Sequence, residues 1–101
     1  MTVALSHLLK SDAPLRASDD VLIHGVTDDS RTVKPGYLFV ALSGGKADGA
    51  TFIDQAFVEG AAAVVAAKGA YSGKHNIIAV ENPRRILALA ASRFYDRQPA
   101  G

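Results

Sequence analysis

Hydrophobic and polar positions along the chain fall into blocks whose lengths predict a mixed α/β fold. The run 37–42 (YLFVAL) is apolar at every position, as expected for a parallel strand that is buried on both faces. The runs 61–67 and 77–80 are also apolar and of strand length. A weaker run, 21–26, is interrupted by a His-Gly pair. We therefore expect four strands, of which 37–42 is the clearest.

Two stretches on either side of the central strand show helical spacing. Thr2 is placed to cap a short first helix, and Thr51 is placed to cap a second helix over 52–59. Gly60 follows at the position where a glycine commonly ends a helix. The predicted apolar faces consist of Val3, Ala4, Leu8 and Leu9 in the first helix and of Phe52, Ile53, Ala56 and Phe57 in the second.

The last helical stretch begins with two local signals for a helix start. Asn82 is a suitable cap, Pro83 suits the first helical position, and the helix is predicted to end near Tyr95. Its apolar face consists of Ile86, Leu87, Leu89, Ala90 and Phe94. From residue 37 onward, the order strand, helix, strand, strand, helix contains a right-handed βαβ unit. The sequence predicts a small three-layer α/β domain with a mostly parallel sheet and flanking helices.

Composition narrows the possible functions. With 11 Lys and Arg against 10 Asp and Glu, the net charge of +1 gives no electrostatic basis for binding nucleic acid or a membrane. Cysteine is absent, which excludes thiolate metal sites and a cysteine nucleophile, and the three His residues lack metal-ligand spacing. No apolar run reaches about 18 residues and no signal peptide is recognisable. We expect a cytoplasmic domain.

A glycine-rich segment, 43–50 (SGGKADGA), follows the central strand. Ligands of open α/β sheets bind beyond the carboxyl ends of strands. Free backbone N–H groups before a helix suit a phosphate, and Lys46 adds a positive charge. The same glycines could simply end the strand in a tight turn. Their spacing fits neither a Walker A loop nor a dinucleotide fingerprint, so ATP and NAD are not supported.

A polar block, Asp28-Asp29-Ser30-Arg31, follows the weaker strand run. Charged residues in such a turn usually organise the loop itself, so Asp29 and Arg31 are predicted to form an Asx-type turn with an ion pair. Ser30 is the better candidate for a ligand contact, because its hydroxyl both donates and accepts hydrogen bonds. His24 has no evident nucleophile beside it and is assigned no catalytic role.

Several of these motifs occur together in an order that resembles the N-terminal domain of the Mur ligases of peptidoglycan synthesis. The motifs are Asp29-Ser30-Arg31, Pro35-Gly36 ahead of Leu38-Phe39-Val40-Ala41, and Asp48-Gly49 ahead of a helix. The ending 87–95 (LALAASRFY) is more similar to the MurE type, the UDP-N-acetylmuramoyl-dipeptide ligase, than to the MurF type. The resemblance extends from about residue 21 to residue 99.

The resemblance implies that residues 1–98 bind the UDP moiety of UDP-N-acetylmuramoyl-L-alanyl-D-glutamate and that 99–101 begin a linker. In that family a central domain binds ATP and Mg²⁺, and a C-terminal domain binds diaminopimelate or lysine. The expected partners are therefore this substrate and the remaining ligase domains of the same protein. No cofactor and no catalytic residue are expected within this chain. By position, the UDP contacts fall on Asp28, Ser30, Gly45, Lys46 and Ala47.

Other functions remain open at the level of sequence. The chain could be the same domain of a MurF-type ligase, or a protein-interaction module that binds no nucleotide. A free-standing hydrolase or transferase is poorly supported, because no nucleophile–base pair is evident. The motif Glu81-Asn82-Pro83-Arg84 resembles a signature of diaminopimelate-specific members. That signature belongs to the family's C-terminal domain, whereas here the motif is predicted to start a helix.

Overall fold

The computed structural model describes residues 2–9, 20–42, 49–69 and 77–96. The strands within these ranges are β1 (Val3–Ala4), β2 (Leu22–Ile23), β3 (Gly25–Thr27), β4 (Tyr37–Val40), β5 (Ala63–Ala67) and β6 (Ile78–Val80). The helices are α1 (Leu5–Leu9), α2 (Gly49–Val58) and α3 (Pro83–Asp96), and a short 3₁₀ turn covers Ser30–Thr32.

The main sheet contains four parallel strands in the order β3-β4-β5-β6, which is also their order along the chain. Leu38 of β4 pairs with Val26 on one side and with Ala63 on the other. The predicted parallel sheet is thus confirmed. Because the strands run in one direction, the residues that follow β3 and β4 emerge at the same edge of the sheet.

Helices cover both faces of this sheet, which confirms the three-layer prediction. Alternate residues of a strand point to opposite faces. Phe39 accordingly packs with Ile53 of α2, whereas Leu38 and Val40 pack in a second cluster that includes Ile86 of α3. Burial on both faces explains why the strand β4 is apolar throughout.

The N-terminal segment differs from the prediction. Val3–Ala4 is a strand that pairs antiparallel with β2, and Thr2 does not cap a helix, because α1 begins only at Leu5. The carboxylate of Asp20 accepts hydrogen bonds from the backbone N–H of Ser6 (2.9 Å) and from its hydroxyl (3.0 Å). The acceptor at this helix start therefore comes from a distant part of the sequence, which local spacing does not reveal.

The weak run 21–26 is divided between two sheets. Leu22–Ile23 pairs with β1, and Gly25–Thr27 is the edge strand of the main sheet beside β4. His24 lies between the two, and its backbone N–H donates to the carbonyl of Gly36 (2.9 Å). A Cβ at Gly25 would lie 2.5 Å from the ring of Tyr37, so a larger residue here would require that ring to move.

The helix α2 begins two residues before the predicted cap, so Thr51 lies inside the helix and does not cap it. Its end is as predicted. Gly60 adopts φ of 104° and donates to the carbonyl of Phe57 (3.1 Å), while Ala61 donates to that of Ala56 (3.0 Å). This pair of hydrogen bonds is a Schellman motif, in which a glycine takes the left-handed conformation.

The helix α3 begins as its sequence predicts. The side-chain oxygen of Asn82 accepts a hydrogen bond from the backbone N–H of Arg85 (3.2 Å), and Pro83 occupies the first helical position. Ile86, Ala90 and Phe94 are buried against the sheet, as expected for residues at spacings of four. None of the described helices is long and apolar enough to cross a membrane.

Candidate functional site

The candidate site lies at the edge of the main sheet where β3 and β4 end. Asp28 and Ser30 follow β3 and lie among the described residues. Gly45, Lys46 and Ala47, which complete the predicted UDP contacts, lie outside the described residues. The geometry of the site is therefore built from the turn after β3 and from the helix α2, which packs against that turn.

The turn after β3 is organised by an ion pair between neighbouring charged residues. The carboxylate of Asp29 accepts hydrogen bonds from the backbone N–H of Arg31 (2.9 Å) and from its guanidinium, at Nε and Nη2 (both 3.1 Å). These side-chain and backbone hydrogen bonds from Arg31 lower the pKa of Asp29, and the bond to Asp29 raises the pKa of Arg31. The predicted Asx-type turn with an ion pair is confirmed.

A closed set of hydrogen bonds among Thr27, Asp29 and Thr32 also holds this turn. The backbone N–H of Asp29 donates to the hydroxyl of Thr27 (3.1 Å), which lies 2.6 Å from the hydroxyl of Thr32. The hydroxyl of Thr32 donates to the carbonyl of Asp29 (2.9 Å), so Thr27 is the donor in the hydroxyl pair. These hydrogen bonds hold the turn that carries Ser30.

Ser30 lines an open cavity of about 400 Å³ between the turn and the helix α2. Its lining residues are Ser30, Arg31, Phe52, Gln55 and Glu59. A volume of this size falls within the range of roughly 300–1,000 Å³ that is typical of small-molecule sites. Asp28 is exposed and does not line the cavity, so the structure brings together Ser30 and α2 but leaves Asp28 outside.

The environment of Phe52 differs from the prediction that it belongs to the core. Its spacing assigned it to the apolar face of α2, yet its side chain is 43% exposed and lines the cavity, whereas its neighbour Ile53 is fully buried. Gln55 follows Phe52 at a spacing of three, and Glu59, directly after the last residue of α2, follows at a spacing of seven, so the three residues lie along one side of the helix. The aromatic residue among polar ones on that face was the sequence signal for a role outside the core.

Gln55 and Glu59 are joined by a hydrogen bond along this face. The side-chain amide Nε2 of Gln55 donates to Oε1 of Glu59 at 2.9 Å. Because an ionised carboxylate only accepts hydrogen bonds, this contact fixes which end of the amide faces Glu59. The carbonyl oxygen Oε1 of Gln55 is thus the atom left to accept a hydrogen bond from a ligand.

A second cavity, of about 360 Å³, lies where β5 and β6 end. Its charged residues include Lys68 and Glu81, whose side chains are exposed and form a 3.6 Å ion pair. Asn82, which also lines it, caps the helix α3. The motif 81–84 therefore starts a helix here, as predicted. Across the described ranges, no group of three or more His, Asp or Glu side chains could hold a metal ion.

Comparison with known proteins identifies similar sequences over most of the chain. Residues 22–95 match the model of the "Mur ligase family, catalytic domain". Among similar proteins, the UDP-N-acetylmuramoyl-L-alanyl-D-glutamate–2,6-diaminopimelate ligase of Bradyrhizobium diazoefficiens is 50% identical over 97 residues, which cover 95% of this chain and 20% of that protein.

Ligases with the same name in other bacteria show comparable similarity. The Rhizobium meliloti protein is 53% identical over 97 residues, covering 94% of this chain and 19% of the relative. The Caulobacter vibrioides protein is 46% identical over 82 residues, covering 80% of this chain and 17% of the relative. The chain thus spans about a fifth of the length of these relatives.

Proposed function

This chain belongs to the Mur ligase family, and from that premise we propose that it binds the UDP moiety of UDP-N-acetylmuramoyl-L-alanyl-D-glutamate in a MurE-type ligase. The names of the relatives support the MurE type over the MurF type, and they favour diaminopimelate as the amino acid that the whole protein adds. Residues 1–98 would form the binding unit and 99–101 would begin a linker. We propose a cytoplasmic location.

The observation that carries this proposal is the position of Ser30. The turn that holds it is closed by its own hydrogen bonds, and Ser30 borders a cavity of about 400 Å³. This turn lies at the edge of the sheet where ligands of parallel α/β folds bind. The predicted phosphate contacts, Gly45, Lys46 and Ala47, follow the neighbouring strand and remain predictions.

A binding unit of this kind contributes to a ligase without taking part in the chemical step. Contacts with a remote part of the substrate supply free energy that positions the reacting carboxylate elsewhere. We propose that ATP and Mg²⁺ bind to further domains of the same protein. Those domains would activate the carboxylate as an acyl phosphate, which the amine of the incoming amino acid then attacks. The isolated chain is not expected to catalyse the ligation.

Titration of the ¹⁵N-labelled chain with UDP tests the proposal. We expect shifts of the backbone amide resonances of Ser30, Gly45, Lys46 and Ala47, and none at the second cavity around Lys68. Ser30→Ala should weaken UDP binding roughly tenfold, because a hydrogen bond to a phosphate or a base is lost. Ser92→Ala, at an exposed position of α3, is the matched control. If saturating UDP left the Ser30 amide unchanged, the proposal would be wrong.

A further inference from the structure

Phe52 occupies a position that core packing does not explain. It lies in the first half of α2, and its side chain is 43% exposed beside a residue, Ile53, that is completely buried. An aromatic ring bordering an open cavity offers a flat apolar surface. Any nucleobase can stack on such a ring, because every base has a π-face. Phe52 therefore has the chemistry of a stacking platform for a base.

Gln55 and Glu59 add polar groups to the same face of α2. The amide of Gln55 is held by Glu59 through the 2.9 Å hydrogen bond, with its nitrogen toward the carboxylate. Its carbonyl oxygen is thereby left as an acceptor. The N3 position of uracil carries a hydrogen and donates, whereas the N3 position of cytosine is an acceptor. An acceptor fixed at this place favours uracil, because cytosine would leave two acceptors facing each other.

We infer that Phe52 stacks against the uracil base and that Gln55, oriented by Glu59, selects uracil over cytosine. This inference rests on the proposed binding of UDP and assigns its base to the cavity beside Ser30. Phe52 and Gln55 are specificity-determining contacts, and Glu59 is a positioning residue that acts through Gln55.

Variants of Phe52 test the stacking contact. Phe52→Ala should weaken UDP binding by roughly 5- to 150-fold, as expected for loss of one base–aromatic stack. Phe52→Tyr keeps the ring and should retain the wild-type affinity. Val58→Ala is the matched control, because Val58 is 78% exposed on the same helix and does not line the cavity. Isothermal titration calorimetry measures the affinities, and the thermal unfolding midpoint shows whether each variant is folded.

Comparison of UDP with CDP tests the selection of the base, because the two ligands have identical phosphates and ribose. The wild-type chain should prefer UDP by roughly tenfold. Gln55→Ala should reduce that preference toward one. Glu59→Ala should reduce it as well, because the amide of Gln55 is then free to rotate and offer its nitrogen to N3 of cytosine.

The outcomes separate this inference from the function on which it rests. If the wild-type chain bound no UDP, the proposed function would fail and the inference with it. If UDP bound with equal affinity to the wild type and to folded Phe52→Ala, the stacking contact alone would be refuted. Equal affinity of the wild type for UDP and CDP would refute the role of Gln55 and Glu59. Weaker UDP binding by folded Phe52→Ala would support the stacking contact. A tenfold UDP preference that Glu59→Ala abolishes would support the role of Gln55 and Glu59.

Discussion

At the scale of single residues, the turn after β3 contains an ion pair and, between its two members, the candidate ligand contact Ser30. Asp29 and Arg31 are the more conspicuous side chains, yet their charges are directed at each other. Ser30, between them, borders the cavity. Short-range chemistry accounts for this division, since an Asp accepts readily from backbone N–H groups two residues later. This part of the site could be predicted from sequence.

The titration of Asp29 should reveal this organisation. Hydrogen bonds from Arg31 lower its pKa in the folded chain, so the carboxylate contributes stability above the unfolded-state pKa of about 3.9. That contribution should be lost as the pH falls through the lower folded-state value. Carbon-13 NMR of the Asp carboxyls should show Asp29 titrating below the ordinary range, and Arg31→Ala should return it toward that range. An unchanged titration in Arg31→Ala would contradict the ion pair.

At the scale of elements, helix ends were predictable where their signals are local. Asn82 and Pro83 mark the start of α3, and Gly60 marks the end of α2, as expected. Each of these signals acts on backbone groups within a few residues. The start of α1 was not predictable. Its backbone N–H at Ser6 finds Asp20, fourteen residues away, and its expected first residues form a strand instead. Pairing with β2 outweighs the helical spacing of those residues.

Substitution of two glycines should separate backbone strain from steric contact. Gly60 and Gly69 both adopt positive φ, at 104° and 79°. A Cβ at Gly60 would lie 2.9 Å from the backbone of Pro35, whereas a Cβ at Gly69 would meet nothing within 4 Å. Gly69→Ala should cost about 1–2 kcal/mol from the left-handed conformation alone. Gly60→Ala should cost clearly more.

Chemical denaturation of the two variants measures this difference as a change in the midpoint with unchanged slope. The Gly60 variant should also affect the start of β4, because the backbone N–H of Gly36, directly before β4, donates to the Gly60 carbonyl (2.9 Å). Equal loss of stability in both variants would show that contact with Pro35 is unimportant.

At the scale of the whole molecule, the sheet is the layer that both sets of helices share. The cluster on the α2 side includes Phe39, Ile53 and Val64, and the cluster on the other side includes Leu38, Val65 and Ile86. Arg93 of α3 also donates to the carbonyl of Leu8 (2.8 Å), which links α3 to the N-terminal helix. The helix α2, which borders the cavity beside Ser30, is held by the first of these clusters through Ile53.

Removal of core volume under α2 should destabilise the molecule as a unit. Ile53 is fully buried, so Ile53→Ala should lower the free energy of unfolding by about 2–5 kcal/mol. Val58→Ala on the exposed side should change it by less than about 0.5 kcal/mol. Denaturant unfolding monitored by circular dichroism distinguishes the two. A small effect of Ile53→Ala would mean that α2 is not anchored through that residue.

The amino-acid sequence by itself determined the strands β4, β5 and β6, the parallel α/β architecture, the ends of α3 and the self-organised turn around Ser30. Each of these depends on hydrophobic periodicity or on hydrogen bonds between residues close in sequence. Only the tertiary structure decided that Asp20 supports the start of α1, that 21–26 divides between two sheets, and that Phe52 faces a cavity. These features depend on which distant surfaces meet, and a one-dimensional pattern does not contain that information.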